Sequence, residues 1–348
     1  MIYVKKIENE RIVWIDIVKL VACFSVIVNH FTEYYLNTYS NSLLLIEKFF
    51  YIFQLCFSRT AVPLFLMITG MLMSRKTCTF KDCFYKIVRI LILLVSITIL
   101  IIIIKPLEFQ NYSLKTFFEE PILVTYWYLY ILIGLYLLIP ILQKMLKNLK
   151  KYDCIYIFII CFVIPGIIQY INVALEMNVS SLFTSFFFST LLVYYIIGTV
   201  VPKIEKNKKN RNIAWALFLF SSYIYLLTFM YFYFKNGSIH FLYLDCSNVF
   251  TGIMAFSSFY LFKYYFEDKK IKYKNIISNI SLTTFGIYIF HILILNKVSN
   301  LLMACKLNSI IFALITELMI FFICSFATYL LRKIPILKKI LWQIFLKY

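Results

Sequence analysis

Charge is what this chain has little of, and negative charge least of all. Only 15% of its 348 residues are charged, with 16 Asp and Glu against 35 Lys and Arg. A water-soluble domain carries about 25% charged and about 45–50% apolar residues, whereas 62% are hydrophobic here. Too little charge remains to coat a soluble surface, which excludes a soluble enzyme. The net +19 does not point to nucleic acid, because a polyanion binder gathers its Lys and Arg on a polar face and the apolar runs are too long to leave one. The nine cysteines (Cys23, Cys56, Cys78, Cys83, Cys154, Cys161, Cys246, Cys305 and Cys324) form no CxxC pair and have no His at ligand spacing. They read as small hydrophobes rather than metal ligands or disulfides. Nor is there a cleavable signal peptide, since the first apolar segment contains Asp16 and Lys19 and lacks a small-residue cleavage site.

What is present is apolar length. A membrane-spanning helix takes about 20 predominantly apolar residues, and ten such runs occur, near Ile12–Glu33, Phe49–Met73, Ile87–Ile104, Val124–Lys144, Cys154–Ile171, Phe183–Val201, Ile213–Phe234, Leu244–Phe262, Ile276–Asn296 and Ile310–Leu331. The fold class expected is therefore all-α, a polytopic membrane protein built as a bundle of ten transmembrane helices. Residues 1–334 form that domain, and no soluble domain fits between the spans. Pro335–Tyr348 alternates Ile336, Leu337, Ile340, Leu341, Ile344 and Phe345 with Lys338, Lys339 and Lys347, the pattern of a basic amphipathic helix lying on the inner membrane surface.

Cytoplasmic loops carry the Lys and Arg excess. Of the 35 basic residues, 27 fall at the two termini and in the even-numbered loops, and six (Lys48, Lys105, Lys115, Lys235, Lys297 and Lys306) in the odd-numbered ones. That alternation puts both termini in the cytoplasm. Two basic residues are left inside spans, Lys19 and Arg59.

An ionisable group at membrane depth is costly and marks a functional site by default. Counting about 1.5 Å per helical residue from the cytoplasmic ends places His30, Arg59, Trp127, His291 and Glu317 all about 22–28 Å above the inner surface. A common height suggests one internal site. Glu33 follows His30 at i+3, on the same helix face, where a carboxylate can orient an imidazole acting as general base. His291 reads equally as a site or a packing residue, and His240 as a solvated loop residue. Lys19 lies about 12 Å above the inner surface, near the level of Arg75, Lys86 and Arg89, and such cations can draw in an anionic part of a cytoplasmic ligand.

These residues resemble a family pattern. Trp14-Ile-Asp16-Ile-Val-Lys19, followed after ten positions by His30, is similar to the opening helix of the acyltransferase 3 family of multispanning membrane acyltransferases. Arg59-Thr-Ala-Val-Pro63-Leu-Phe-Leu-Met-Ile-Thr-Gly70 resembles the family's second-helix segment. Trp127-Tyr-Leu-Tyr-Ile-Leu-Ile-Gly-Leu-Tyr136 with Pro140, and Phe285-Gly-Ile-Tyr-Ile-Phe-His291, resemble later elements in the same order. The chain departs from the pattern at Lys19 and Lys86, where the family has Arg, and at Leu20, where it has Gly. The resemblance implies transfer of an acyl group, commonly acetyl, from a cytoplasmic acyl-CoA to a sugar hydroxyl of a cell-surface polysaccharide or its lipid-linked precursor, in a bacterial cytoplasmic membrane. It implies no permanently bound cofactor, and a homo-oligomer is compatible with it. The implied roles fall on His30 as base with Glu33 orienting it, on Arg59, Trp127, His291 and Glu317 around the acceptor, and on Lys19, Arg75, Lys86 and Arg89 at the CoA.

A transporter or flippase for a glycan intermediate or small anion would use a similar ring of His, Arg and Glu. Broken helices and duplicated halves would mark it, and neither is visible in the sequence. A sensory or anchoring module without catalysis is a third reading, weakened by the missing soluble domain. The topology is directly testable: a reporter that folds only in the cytoplasm should be active when fused after Tyr348, and activity of a reporter restricted to the outer side would reverse the orientation.

Overall fold

The computed structural model describes residues 11–110, 112–147, 149, 151–174, 190–237, 239, 246, 248–303 and 309–335. The proposed C-terminal amphipathic helix beyond Pro335, and His240, lie outside the described residues. Helices dominate, and among the described residues there is no strand. In chain order they are α1 Val13–Tyr39, α2 Leu45–Ser58, α3 Ala61–Ser74, α4 Phe80–Ile104, α5 Leu114–Glu119, α6 Trp127–Leu146, α7 Lys151–Phe158, α8 Ile164–Ala174, α9 Thr190–Val200, α10 Lys208–Asn236, α11 Val249–Phe266, α12 Lys274–Ser281, α13 Thr284–Met303 and α14 Ser309–Leu331. Among the described residues, six stretches are long and apolar enough to cross a membrane: Val13–Ser42, Leu45–Ser74, Phe80–Ile104, Val124–Leu146, Lys208–Asn236 and Ser309–Leu331. A seventh arises if α12 and the first part of α13 count as one bent span. This is the fold of a multi-pass membrane protein.

Local chemistry sets the helix ends. Thr79 caps α4, its Oγ1 accepting from the Asp82 N–H while Asp82 accepts from the Thr79 N–H at 3.0 Å, a capping box. Asn207 and Asn248 cap α10 and α11 by simple side-chain acceptance, their Oδ1 atoms taking the Asn210 N–H at 2.7 Å and the Phe250 N–H at 3.0 Å. α10 stops at Gly237, whose φ of 70° closes the helix in the left-handed conformation that glycine adopts without penalty.

Three of the uninterrupted runs expected from sequence are interrupted. Phe49–Met73 is two helices meeting at Arg59–Thr60. Pro63 has no N–H to give the Arg59 carbonyl, so the i→i−4 ladder cannot continue through that point. Cys154–Ile171 contains a π-helical segment, Ile159–Val163, between α7 and α8. Ile276–Asn296 bends by 56° between α12 and α13. There the hydroxyls of Thr283 and Thr284 bond back to the Ile280 and Ser281 carbonyls, and such competing bonds bend helices. A broken helix is thus present although the sequence did not reveal one.

The chain forms two compact units. The second, within 76–148 and 325–348, is built on the packing of α4 against α6. The first, within 1–75 and 149–324, is organised around α1, which touches α2, α3, α11, α12 and α13. Its core includes Ile27, Phe31, Leu55, Phe229, Met254 and Phe312. Lys263, expected in the eighth loop, is inside α11 and only 3% exposed. Its ammonium donates to the carbonyls of Pro202 at 2.8 Å and Ile204 at 2.6 Å, clasping the end of the α9 segment. The loop reading failed because the charge is satisfied by free helix-end carbonyls rather than by water.

α3 and α9 cross closely because each offers a glycine to the other's backbone. A methyl at Gly70 would collide with the Tyr195 carbonyl, and one at Gly198 with the Met67 backbone. Small residues permit such approach where lipid supplies no hydrophobic drive. Gly70→Leu and Gly198→Leu should each cost at least the about 1–3 kcal/mol typical of overpacking, seen as a lower unfolding temperature in detergent. Gly134→Ala, where nothing lies within 4 Å, should leave that temperature unchanged or raised.

Candidate active site

On the C-terminal half of α1, Asn29, His30, Thr32 and Glu33 occupy one turn, and each meets a different neighbour in the first unit. Arg59 stands at the α2–α3 break, where its N–H bonds the Leu55 carbonyl at 3.3 Å. Its Nη2 donates to Glu33 Oε2 at 2.9 Å, with the two side chains 10% and 29% exposed. A cation expected inside a span is thus answered by a carboxylate on the next helix, as its desolvation demands. Ser58 extends the contact, its Oγ lying 3.4 Å from Asn29 Oδ1.

His30 is half-buried. Its ring lies against His291 on α13, with centroids 5.3 Å apart and planes at 31°. His291 is fully buried. Its Nδ1 is 2.7 Å from the Tyr288 carbonyl oxygen, so that nitrogen donates. Glu317 on α14 is likewise fully buried, and its Oε2 accepts from Gln54 Nε2 at 3.0 Å. Gln54 also faces Thr32, at 3.4 Å.

Four of the residues expected at one height, His30, Arg59, His291 and Glu317, therefore share the first unit. Trp127 opens α6 in the second unit. Glu33, expected to orient His30, has Arg59 as its described partner. Asn29, Gln54 and Ser58 went unnoticed in the sequence because they are uncharged. Their common signal is an amide or hydroxyl inside an apolar run at the depth of His30.

At the other end of α1, Asp16 is 2% exposed and densely bonded. It accepts from Arg11 Nε at 2.6 Å, Ser278 Oγ at 2.9 Å and Ser281 Oγ at 2.7 Å, and Lys19 Nζ lies 3.6 Å away. Lys19 is thus tied to Asp16. A cavity of about 440 Å³ opens nearby, lined among others by Arg11, Trp14, Ser74, Arg75, Phe266 and Lys269. Lys86 and Arg89 sit on α4 in the second unit, with Lys86 Nζ 5.2 Å from the centre of the Tyr136 ring. Among the described residues no cluster of His, Cys, Asp and Glu is arranged to hold a metal ion.

The first unit thus brings together the half-buried His30, the buried His291 and the Arg59–Glu33 ion pair. The model of the acyltransferase domain of the acyltransferase 3 family matches residues 12–331. The chain belongs to that family. No curated protein and no solved structure matches it. Family membership makes the chain a membrane acyltransferase by kind, and the matched range contains every site residue named above except Arg11.

The Arg59–Glu33 pair can be tested by stability. Arg59→Met strands a partly buried carboxylate and should cost about 3–5 kcal/mol. Arg59→Met with Glu33→Gln should cost less than the sum of the single changes, measured as a double-mutant cycle of unfolding in detergent.

Proposed function

We propose that the protein moves an acyl group, most simply acetyl, from acyl-CoA to a hydroxyl of a surface polysaccharide or its lipid-linked precursor. The setting is a bacterial cytoplasmic membrane, with ten spans and both termini inside. What carries this reading is the position of His30. The family model covers nearly the whole chain, and the half-buried first-helix histidine lies against the buried imidazole of His291.

In the proposed step, a neutral His30 accepts the proton of the acceptor hydroxyl as its oxygen attacks the thioester carbonyl. The carbon–sulfur bond then breaks, and the proton passes from His30 to the departing CoA sulfur. A positioned base of this kind contributes about 10²–10⁴-fold. Arg59, fixed by Glu33, lies within electrostatic reach of His30 and offers its guanidinium to the developing oxyanion, a role in which one donor is worth about 2.7–4 kcal/mol. Glu317 with Gln54, and Trp127, would contact the acceptor. Arg75, Lys19, Lys86 and Arg89 would receive the anionic CoA, with Arg89 the better placed of the two α4 cations to form a bidentate phosphate contact because Lys lacks the planar fork.

One observation favours the transporter reading, the 56° break between α12 and α13, since discontinuous helices frame transport sites. Against it, Ser278 and Ser281 at that break are bonded to Asp16, so the broken end is held by α1 rather than presented to a ligand. His30→Ala in the purified protein should lower transfer from labelled acetyl-CoA to extracted surface glycan about 10²–10⁴-fold, and transfer at the wild-type rate would remove His30 from the chemistry. Movement of a labelled glycan into proteoliposomes without acyl-CoA would favour transport instead. Arg89→Ala should raise the KM for acetyl-CoA and leave kcat near wild type.

A further inference from the structure

Each buried imidazole has two nitrogens, and the structure settles what both nitrogens of His291 can do. Its Nδ1 faces only carbonyls, Tyr288 at 2.7 Å and Ile287 at 3.2 Å. A carbonyl oxygen accepts and never donates, so the proton of the neutral ring sits on Nδ1 and Nε2 keeps its lone pair. That Nε2 is buried and has no hydrogen-bond partner among the described residues. An acceptor left open in a closed interior is unfavourable and calls for a donor. The ring packed against it belongs to His30, 5.3 Å between centroids. Glu33, the helix neighbour spaced to hold the His30 imidazole, is committed to Arg59. Nothing else described competes to fix which His30 nitrogen carries the proton. Catalytic hydrogen bonds in unliganded sites are often long and tighten when substrate binds, and at 5.3 Å between centroids the two rings are close enough for such a bond to form as the site tightens.

We propose that His291 is a positioning residue, whose lone-pair Nε2 accepts the ring N–H of His30 and so leaves the other His30 nitrogen unprotonated toward the acceptor hydroxyl. The order is Tyr288 carbonyl, His291 Nδ1–H, His291 Nε2, His30 N–H. A backbone carbonyl acts through an intervening histidine where a carboxylate serves in other sites that orient a catalytic imidazole. When the hydroxyl proton moves to the free nitrogen, His30 becomes a cation that still donates to His291. The same proton leaves for the CoA sulfur as the thioester breaks, and His291 gains and loses none. The catalytic value of the free nitrogen rests on the acyl-transfer reading, whereas the coupling between the two rings does not.

The chain has three histidines, so isotope-labelled ring nitrogens can be assigned in the full protein in lipid nanodiscs, with His240→Gln removing the third ring. Wild type should show His291 protonated on Nδ1 and His30 in a single neutral tautomer. His291→Leu should leave His30 in mixed tautomers, and His291→Gln, whose amide oxygen can accept near the position of Nε2, should restore one. In transfer of labelled acetyl from acetyl-CoA to extracted surface polysaccharide, the Leu variant should lose about a hundredfold in kcat with KM retained, and the Gln variant should recover at least tenfold of it. Identical His30 tautomers in wild type and His291→Leu would overturn the proposal, as would a proton on His291 Nε2. So would a His291→Leu protein with unchanged kcat and a raised KM for the polysaccharide, which would make His291 a direct acceptor contact. If the Leu variant does not fold, mixed His30 tautomers in wild type decide against it. Ring coupling as described in a wild-type protein that transfers no acetyl would instead sink the acyl-transfer reading and leave the coupling standing, and full transfer by His30→Ala would remove only His30 from the chemistry.

Discussion

Hydrocarbon offers no hydrogen bonds, so every polar group that this chain carries into the membrane must find its partner within the protein. α1 bears most of that requirement. Near its N-terminal end Asp16 is bonded by Arg11, Ser278 and Ser281, and toward its C-terminal end Glu33 is bonded by Arg59. One carboxylate at each end ties α1 to a different discontinuity of the fold, the α12–α13 bend and the α2–α3 break. Both breaks free backbone groups and place them beside charge. The rest of the first unit, including the glycine crossing of α3 and α9, packs around a helix whose rotation is fixed at two heights. A one-residue rotation of α1 would turn both carboxylates from their partners at once.

The same constraint explains what the sequence revealed. Apolar length and a near-absence of charge identify a multi-pass helical bundle, because nothing else satisfies its backbone in lipid. His30, Arg59, His291 and Glu317 could be singled out because a charged or titratable group at depth has few innocent explanations. The partners were harder to read. Spacing joined Glu33 to His30, since i+3 neighbours share a face. The structure joins it to Arg59, because a guanidinium without a counterion costs more than an unsupported neutral imidazole. Pairings between helices depend on rotation and on breaks at Arg59–Thr60 and Leu282–Thr283, and neither leaves a periodic signal. Lys263 misled for a related reason. A lysine at the edge of an apolar run reads as a loop charge, and only the carbonyls of Pro202 and Ile204 beside it show that it closes a helix end.

On the proposed reading the site joins a thioester to a sugar hydroxyl, and because a thioester also reacts with water, such a site gains by excluding it. The layer around His30 has that character. His291 and Glu317 are fully buried, and Tyr35 on the turn above packs against Tyr51 and Phe312 at 4.9 and 5.6 Å between ring centroids. Within that layer the His30 ring packs on the buried ring of His291. It cannot rely on solvent to choose which nitrogen stays free, and that choice has to come from fixed groups. Glu33 would make it in water-exposed sites, but here its charge is spent stabilising Arg59. A chain that brings one arginine into the membrane thus commits its nearest carboxylate to it, and on the acyl-transfer reading proposed above the orientation of His30 falls to a neutral group. His291, anchored on a backbone carbonyl, is the neutral group in contact with His30.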